Sequence, residues 1–265
     1  TLRFKHRTPI VNLPKVGKTW GEEIRGSIVS KQGKIFLGSD MVSLESTTKR
    51  HYMYPHDPDY VEEMSHPDFD EHLDLAIHAG RATKEEVLKH VRGEISLKSI
   101  RDPFKTVNYS AIYGVGVPKL SREGGFSRSE ASTLLSTYWE RNWSVKVIAK
   151  EQYVKTLKDG TMWLKNPVSG FYHSLRFEKD IFSTLNQSTG VYCFDTFVAY
   201  CAAAGVEIPM QYHDEILVEC DDDEQSINDT KERLQNAITK TNEKVKLNVS
   251  LSIDVQTGYD YASVH

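Results

Sequence analysis

The sequence predicts an α/β fold of the α+β kind, with short strands toward both ends of the chain and helices between them. Two strand-like apolar runs, Ile35-Phe36-Leu37-Gly38 and Ile216-Leu217-Val218-Glu219, stand far apart in the 265 residues. Between them the pattern changes to helix-start residues and to apolar or charged positions recurring every three or four residues.

Taken in order, residues 1–14 carry two prolines among polar residues and read as an extended, basic strip. Gly26–Ser30 and Ile35–Gly38 read as a hairpin turning at Gln32-Gly33. Residues 51–70, rich in Tyr, His, Pro and Asp, read as a loop and a domain boundary. A helix begins at Phe69–Ala76. Another starts at Thr83-Lys84-Glu85-Glu86 with Thr83 as N-cap, and residues 84–99 form a connecting helix or linker. Arg101–Gly114 reads as a helix with Pro103 in its first turn, ended by Gly114 and Gly116. Ser127–Glu130 opens a helix over 129–158 with apolar positions 134, 135, 138, 139, 143 and 147. The turn-rich stretch 159–175 follows, then a helix from Asn186 to Ala204 closed by Gly205. Residues 206–212 read as a strand, His213-Asp214 as the turn and 216–219 as the return. The acidic run 221–224 suits the N-terminus of a helix over 225–242. Leu247–Ile253 alternates and reads as a half-buried strand.

Composition narrows the function classes. The formal charge is −4 and 39% of residues are hydrophobic, with no apolar run long enough to span a membrane and no signal-peptide pattern. Cys193, Cys201 and Cys220 lack C-x-x-C spacing, which suits a reduced, cytoplasmic protein. The first fifty residues hold ten Lys/Arg against four Asp/Glu, so the basic charge is concentrated at the start despite the negative total.

Three stretches carry chemistry. In the helix 101–114, Arg101, Lys105, Tyr109 and Tyr113 share one face, and two cations one turn apart suit an anion of several charges such as a triphosphate. Taken alone, the stretch is also an ordinary amphipathic helix with a solvated basic end. Asp40 and Asp214 each stand at the edge of a strand-like segment. Two acids brought together from distant positions are what paired magnesium ions require, because hard cations take oxygen ligands.

Asp40…Glu45, then Arg101…Lys105…Tyr109…Tyr113-Gly114, then Gln211-Tyr212-His213-Asp214-Glu215, resemble motifs A, B and C of the family A DNA polymerases. These are the DNA polymerase I type, including phage replicative enzymes, and the likeness extends over nearly the whole chain. It implies a palm of residues 1–60 and 176–265 with an antiparallel sheet, and a helical fingers insertion at 61–175. It implies that Asp40, Asp214 and the Met41 carbonyl hold two Mg²⁺, with Mn²⁺ as substitute, and that Glu215 lies in the outer shell. Glu45 would be a steric gate against the sugar 2′ position, hydrogen-bonded to Tyr113. His72, Arg101 and Lys105 would meet the phosphates of an incoming dNTP, Lys105 also protonating pyrophosphate, and Tyr109 would tolerate dideoxynucleotides. Arg3, Asn12, Gln187 and His213 would touch the primer-template. The chain departs from the family at Leu2, where Gly is usual, at Ser46-Thr47, where Leu-Arg is usual, and at Ser110, where Gly is common.

The resemblance therefore implies template-directed addition of dNTPs to a primer 3′-OH. The family's thumb and exonuclease are expected either on a second polypeptide, the preferred reading, or on a part of the protein trimmed from this sequence, with room for a processivity factor and no membrane partner. A single-subunit RNA polymerase is the rival within enzymes, opposed by Glu45 and Glu215. A non-catalytic DNA-binding module is the rival outside them, opposed by the joint presence of Asp40, Asp214, Arg101 and Lys105.

Overall fold

The computed structural model describes Leu2 and residues 13–264. In chain order the elements are α1 (Gly21–Gly26), β1 (Lys34–Met41), α2 (Leu44–Met53), α3 (Pro58–Met64), α4 (Glu71–His78), α5 (Lys84–Val91), α6 (Lys98–Ile112), α7 (Val117–Gly124), α8 (Arg128–Arg141), α9 (Trp143–Glu151), β2 (Val154–Thr156), β3 (Met162–Lys165), β4 (Tyr172–Leu175), α10 (Ile181–Ala203), β5 (Met210–Tyr212), β6 (Glu215–Asp221), α11 (Glu224–Val245) and β7 (Ile253–Gly258). The mixed class with an antiparallel sheet is as the sequence predicts. The chain divides into two compact units, one of residues 1–49, 166–170 and 186–265, the other of 50–165 and 171–185.

The first unit is built on a four-stranded antiparallel sheet in the order β5-β6-β1-β7, so a strand from the start of the chain lies between strands from its end. Alternation gives the sheet two different faces. Ile35, Leu37 and Met41 of β1 and Ile216, Val218 and Cys220 of β6 bury against Phe194, Phe197 and Cys201 of α10 and Leu234 and Ile238 of α11. On the other face Phe36 and Leu217 pack with Tyr261 and Val264. Gly38 is demanded there, since a Cβ would lie 2.4 Å from the Val264 carbonyl oxygen. Cys193, Cys201 and Cys220 are free and buried, and burial pushes the first two thiols up to about 12, so they act as packing groups. Asn166 anchors residues 166–170 by donating to Ser188 Oγ at 2.7 Å and Thr189 Oγ1 at 2.9 Å.

The second unit packs α4, α6, α7 and α8 around Leu75, Phe104, Val107, Leu120, Leu134 and Tyr138. Its helix entries follow the sequence signals. Thr83 with Glu86, and Ser127 with Glu130, form capping boxes. Arg141 holds the unit together from its interior, with Nε 2.9 Å from Asp74 Oδ2 and its guanidinium 3.8 Å from the Tyr60 ring centroid. A second antiparallel sheet, β2-β3-β4, completes the unit.

Several expectations are corrected. Residues 26–30 form no strand beyond one bridge, Val29 to Asp260, because both edges of β1 are taken by β6 and β7. The stretch 51–70 is not a loop but contains the end of α2 and all of α3, whose first residue is Pro58. The helix expected over 129–158 breaks at Asn142 (φ −109°, ψ 36°) and ends at Glu151, and the turn-rich region beyond contributes three strands. Pro103 lies in the second turn of α6 because that helix starts at Lys98. The strand expected over 206–212 is confined to Met210–Tyr212. The alternating segment 247–253 is mostly irregular, and the strand starts at Ile253. The Asn242 side chain takes the Leu251 N–H at 2.8 Å and carbonyl at 2.9 Å, groups a ladder would need. Among the described residues no helix is long and apolar enough to cross a membrane.

Candidate active site

In the first unit, Asp40 is the penultimate residue of β1, directly opposite Glu215 of β6 on one side and Asp254 of β7 on the other. Residues paired across a ladder point to the same face. Asp40, Glu215 and Asp254 therefore form a row on the face away from α10 and α11. Asp214 immediately precedes β6 in the two-residue reversal His213-Asp214, where His213 takes φ 53°. The Met41 N–H donates to the Asp214 carbonyl at 3.1 Å, which ties the end of β1 to the reversal that opens β6. Asp40, Asp214, Glu215 and Asp254 all border one open cavity of about 730 Å³.

The row has a buried support. Glu215 is 4% exposed and its Oε2 accepts from the Tyr261 hydroxyl at 3.1 Å. Arg25, 1% exposed, lies 4.8 Å over the Tyr261 ring and donates from Nε to the Pro14 carbonyl at 2.8 Å. Burial, and then the Glu215 charge, push the Tyr261 phenol up, so it remains a hydroxyl donor. Asp254, Tyr261 and Arg25 escape sequence reasoning because strand register and the fold of the chain's end, rather than any local motif, put them there.

Around the same reversal, Glu45, Gln187, His213 and Asp214 line a smaller cavity of about 70 Å³. Glu45 stands in the first turn of α2 and its carbonyl accepts from Asn186 Nδ2 at 3.0 Å. Gly190 lies there too, with the Leu44 side chain at van der Waals distance from where a Cβ would project. Four of the residues singled out from the sequence thus converge. Arg3 and Asn12 lie outside the described residues.

The second unit carries the basic helix face. Phe104, Val107, Asn108, Ala111 and Ile112 bury one side of α6, leaving Arg101, Lys105 and Tyr109 on the other and Tyr113 at its C-cap. Arg101 Nε lies 2.5 Å from Asp70 Oδ2. Asp70 is the N-cap of α4, its Oδ1 accepting from the His72 and Leu73 N–H groups at 2.9 and 3.0 Å. Burial raises the Asp70 pKa, but the Arg101 guanidinium and the helix N–H outweigh it, so the carboxyl is held below its ordinary value. His72 is buried rather than on the surface, 4% exposed, with its ring 5.7 Å from that of Tyr109. Burial lowers its pKa, favouring the neutral imidazole. Asn108 Nδ2 donates to the Glu71 and Phe104 carbonyls at 3.3 and 3.2 Å, and His72 Nδ1 lies 3.2 Å from the same nitrogen. Lys105 Nζ lies 5.8 Å from the Tyr109 ring centroid.

Among the described residues no group of three or more His, Cys, Asp or Glu is placed to hold a metal ion. Asp40 and Asp214 supply carboxylate oxygens to one cavity, the donor type that a hard cation such as Mg²⁺ takes while it keeps waters in its shell.

No family model matches the chain. It is 30% identical over 161 residues to DNA polymerase I of Helicobacter pylori, covering 59% of this chain and 16% of that protein. It is 23% identical over 274 aligned residues to the thermostable DNA polymerase I of Thermus filiformis, covering 94% of this chain and 29% of that one. The chain thus spans less than a third of the length of these relatives. Among solved structures it is similar to the POL domain of Pol1 from M. smegmatis in complex with DNA primer-template and dNTP. That match has a TM-score of 0.73 at 20% identity, covering 97% of this chain and 45% of that one.

Proposed function

We propose that the chain is a polymerase domain of the DNA polymerase I type, family A, and that it acts as a template-directed DNA polymerase. The observation that carries this is that Asp40, on β1, and Asp214, in the reversal just before the adjacent β6, border one cavity although 174 positions separate them in sequence. In this reading residues 1–60 and 176–265 are the palm and 61–175 the fingers, with primer-template DNA and dNTPs as partners.

The reaction is attack of the primer 3′ oxygen on the α-phosphorus of a dNTP. The bond to the β-phosphate breaks, pyrophosphate leaves, and the hydroxyl proton passes to solvent. Asp40, Asp214 and the Met41 carbonyl would hold divalent cations, Mg²⁺ or Mn²⁺, which supply charge stabilisation at the phosphate oxygens and a more acidic primer hydroxyl. Arg101 and Lys105 bind the outer phosphates, Arg101 exchanging or sharing its contact with Asp70, and Lys105 gives a proton to the leaving group. His72 adds a ring nitrogen to the phosphate contacts. Tyr109 and Tyr113 cover the base and sugar. Glu45 crowds the sugar 2′ position and so favours deoxynucleotides. Gln187 and His213 touch the primer-template, and Glu215, held by Tyr261, keeps the reversal in place.

Primer extension tests the reading. Asp40→Ala and Asp214→Ala should each lower the rate by at least about a hundredfold while the far-ultraviolet circular dichroism is unchanged. EDTA should abolish extension and added Mg²⁺ restore it. Extension at the wild-type rate by either variant would end the proposal.

A further inference from the structure

The three-stranded sheet of the second unit has two unlike faces. Register puts Val154, Leu164 and His173 in one cross-strand row and Thr156, Met162 and Leu175 in the next. This side turns inward, with Leu164, His173 and Leu175 all buried. The opposite side carries Lys155, Trp163 and Ser174 in one row and Lys165 beside Tyr172 in another. Tyr153 adjoins them, its carbonyl accepting from the Lys165 N–H at 3.2 Å. Tyr153 is 61% exposed and Tyr172 48%, both lysines are exposed, and Trp163 is half-buried.

Exposed rings and ammonium groups therefore alternate over one small surface. Lys165 Nζ lies 6.0 Å from the Tyr172 ring centroid, so cation and ring belong to one patch. Between residues 153 and 176 the fixed cations are Lys155, Lys158, Lys165 and Arg176. The sole acid there is Asp159, whose carboxylate takes the Thr161 N–H and hydroxyl at 3.0 and 2.7 Å. The exposed rings offer a flat apolar surface, and in this stretch four cations stand against one acid, which together suit a flat, anionic partner. A duplex offers phosphates, but its bases are already stacked. An unpaired strand offers both at the spacing of successive nucleotides.

We propose that the outer face of this sheet binds single-stranded nucleic acid, with bases stacking on Tyr153 and Tyr172 and phosphates on Lys155 and Lys165. The site goes beyond the polymerase reading, since it needs neither a metal nor a nucleotide.

Fluorescence anisotropy of the whole chain in EDTA tests it, using a short oligo(dT), an abasic strand of equal length and a duplex. Oligo(dT) should bind about tenfold more tightly than the abasic strand, a gap of the size that stacking of one base supplies. The double variant Tyr153→Ala/Tyr172→Ala should erase that gap, and Tyr153→Phe/Tyr172→Phe should keep it, which separates stacking from misfolding. Lys155→Gln/Lys165→Gln should weaken both strands and flatten the salt dependence. Asp40→Ala should leave oligo(dT) binding intact. Equal affinity for oligo(dT) and the abasic strand, or affinity unmoved by the alanine pair, would overturn the proposal. So would duplex binding through the same residues, or no binding of any strand, which would leave the face to a protein. Failure of the wild-type chain to extend a primer while oligo(dT) binding persists would sink the polymerase reading alone.

Discussion

Asp70 is a single side chain with three commitments: it caps α4 through two backbone N–H groups and holds the Arg101 guanidinium. Its carboxyl is kept below the ordinary value in the folded chain, so the stability it contributes is present above the unfolded-state value and is lost as pH falls through the folded one. Asn is as good an N-cap as Asp, so Asp70→Asn removes the charge and leaves the cap. Urea unfolding should show the wild type more stable than this variant near neutral pH, with the gap closing steadily below about pH 5. A gap independent of pH would mean that Arg101 gains nothing from the pairing. His72 adds to the same trend, because its lowered pKa makes protonation in the fold unfavourable as the solution acidifies. Residue identity of this kind was readable in the sequence where chemistry is local: the Thr83 and Ser127 caps and the four-residue rhythm of α6 were all there. The partner of Arg101 was not, since 31 positions separate it from Asp70.

At the scale of elements, β1 shows why part of the site was invisible in the sequence. Its own pattern announces a strand ending in an acid, but not that both edges are paired with strands from the far end of the chain. Asp254 enters the site through that pairing, and like-charged groups directly opposite on a ladder disfavour one another. The region after residue 158 was legible only as turns, because Gly160, Asn166-Pro167 and Gly170 mask three strands of three or four residues each. The break at Asn142 was hidden because apolar spacing continues on both sides of it. Gly38 gives a direct test of how tightly β1 is enclosed. The Cβ of Gly38→Ala would meet the Val264 carbonyl at 2.4 Å and the Val264 Cβ at 3.0 Å. Overpacking of this kind costs about 1–3 kcal/mol, to be read as a lower urea midpoint at unchanged slope, and an unaltered midpoint would show that the chain near Val264 yields freely.

For the molecule as a whole, net charge misleads and distribution informs. The total is −4, yet ten of the 33 Lys/Arg fall in the first fifty residues and others gather on α6 and on the outer face of β2-β3-β4. Primer-template affinity measured by anisotropy should therefore fall steeply with salt, by a log–log slope of about −0.9 for each phosphate neutralised. A flat response would contradict nucleic-acid binding by either unit. The division into two units, each with its own interior, also locates where the chain tolerates change. The reversal at His213-Asp214 is not such a place. A strand alternates with period two, so one residue inserted there would turn Ile216, Val218 and Cys220 to the face that packs on Tyr261 and Val264 and drive Glu215 and Glu219 into the interior formed with α10 and α11. Descendants of this chain can vary the letters of that bend, but its count of residues is arithmetically frozen.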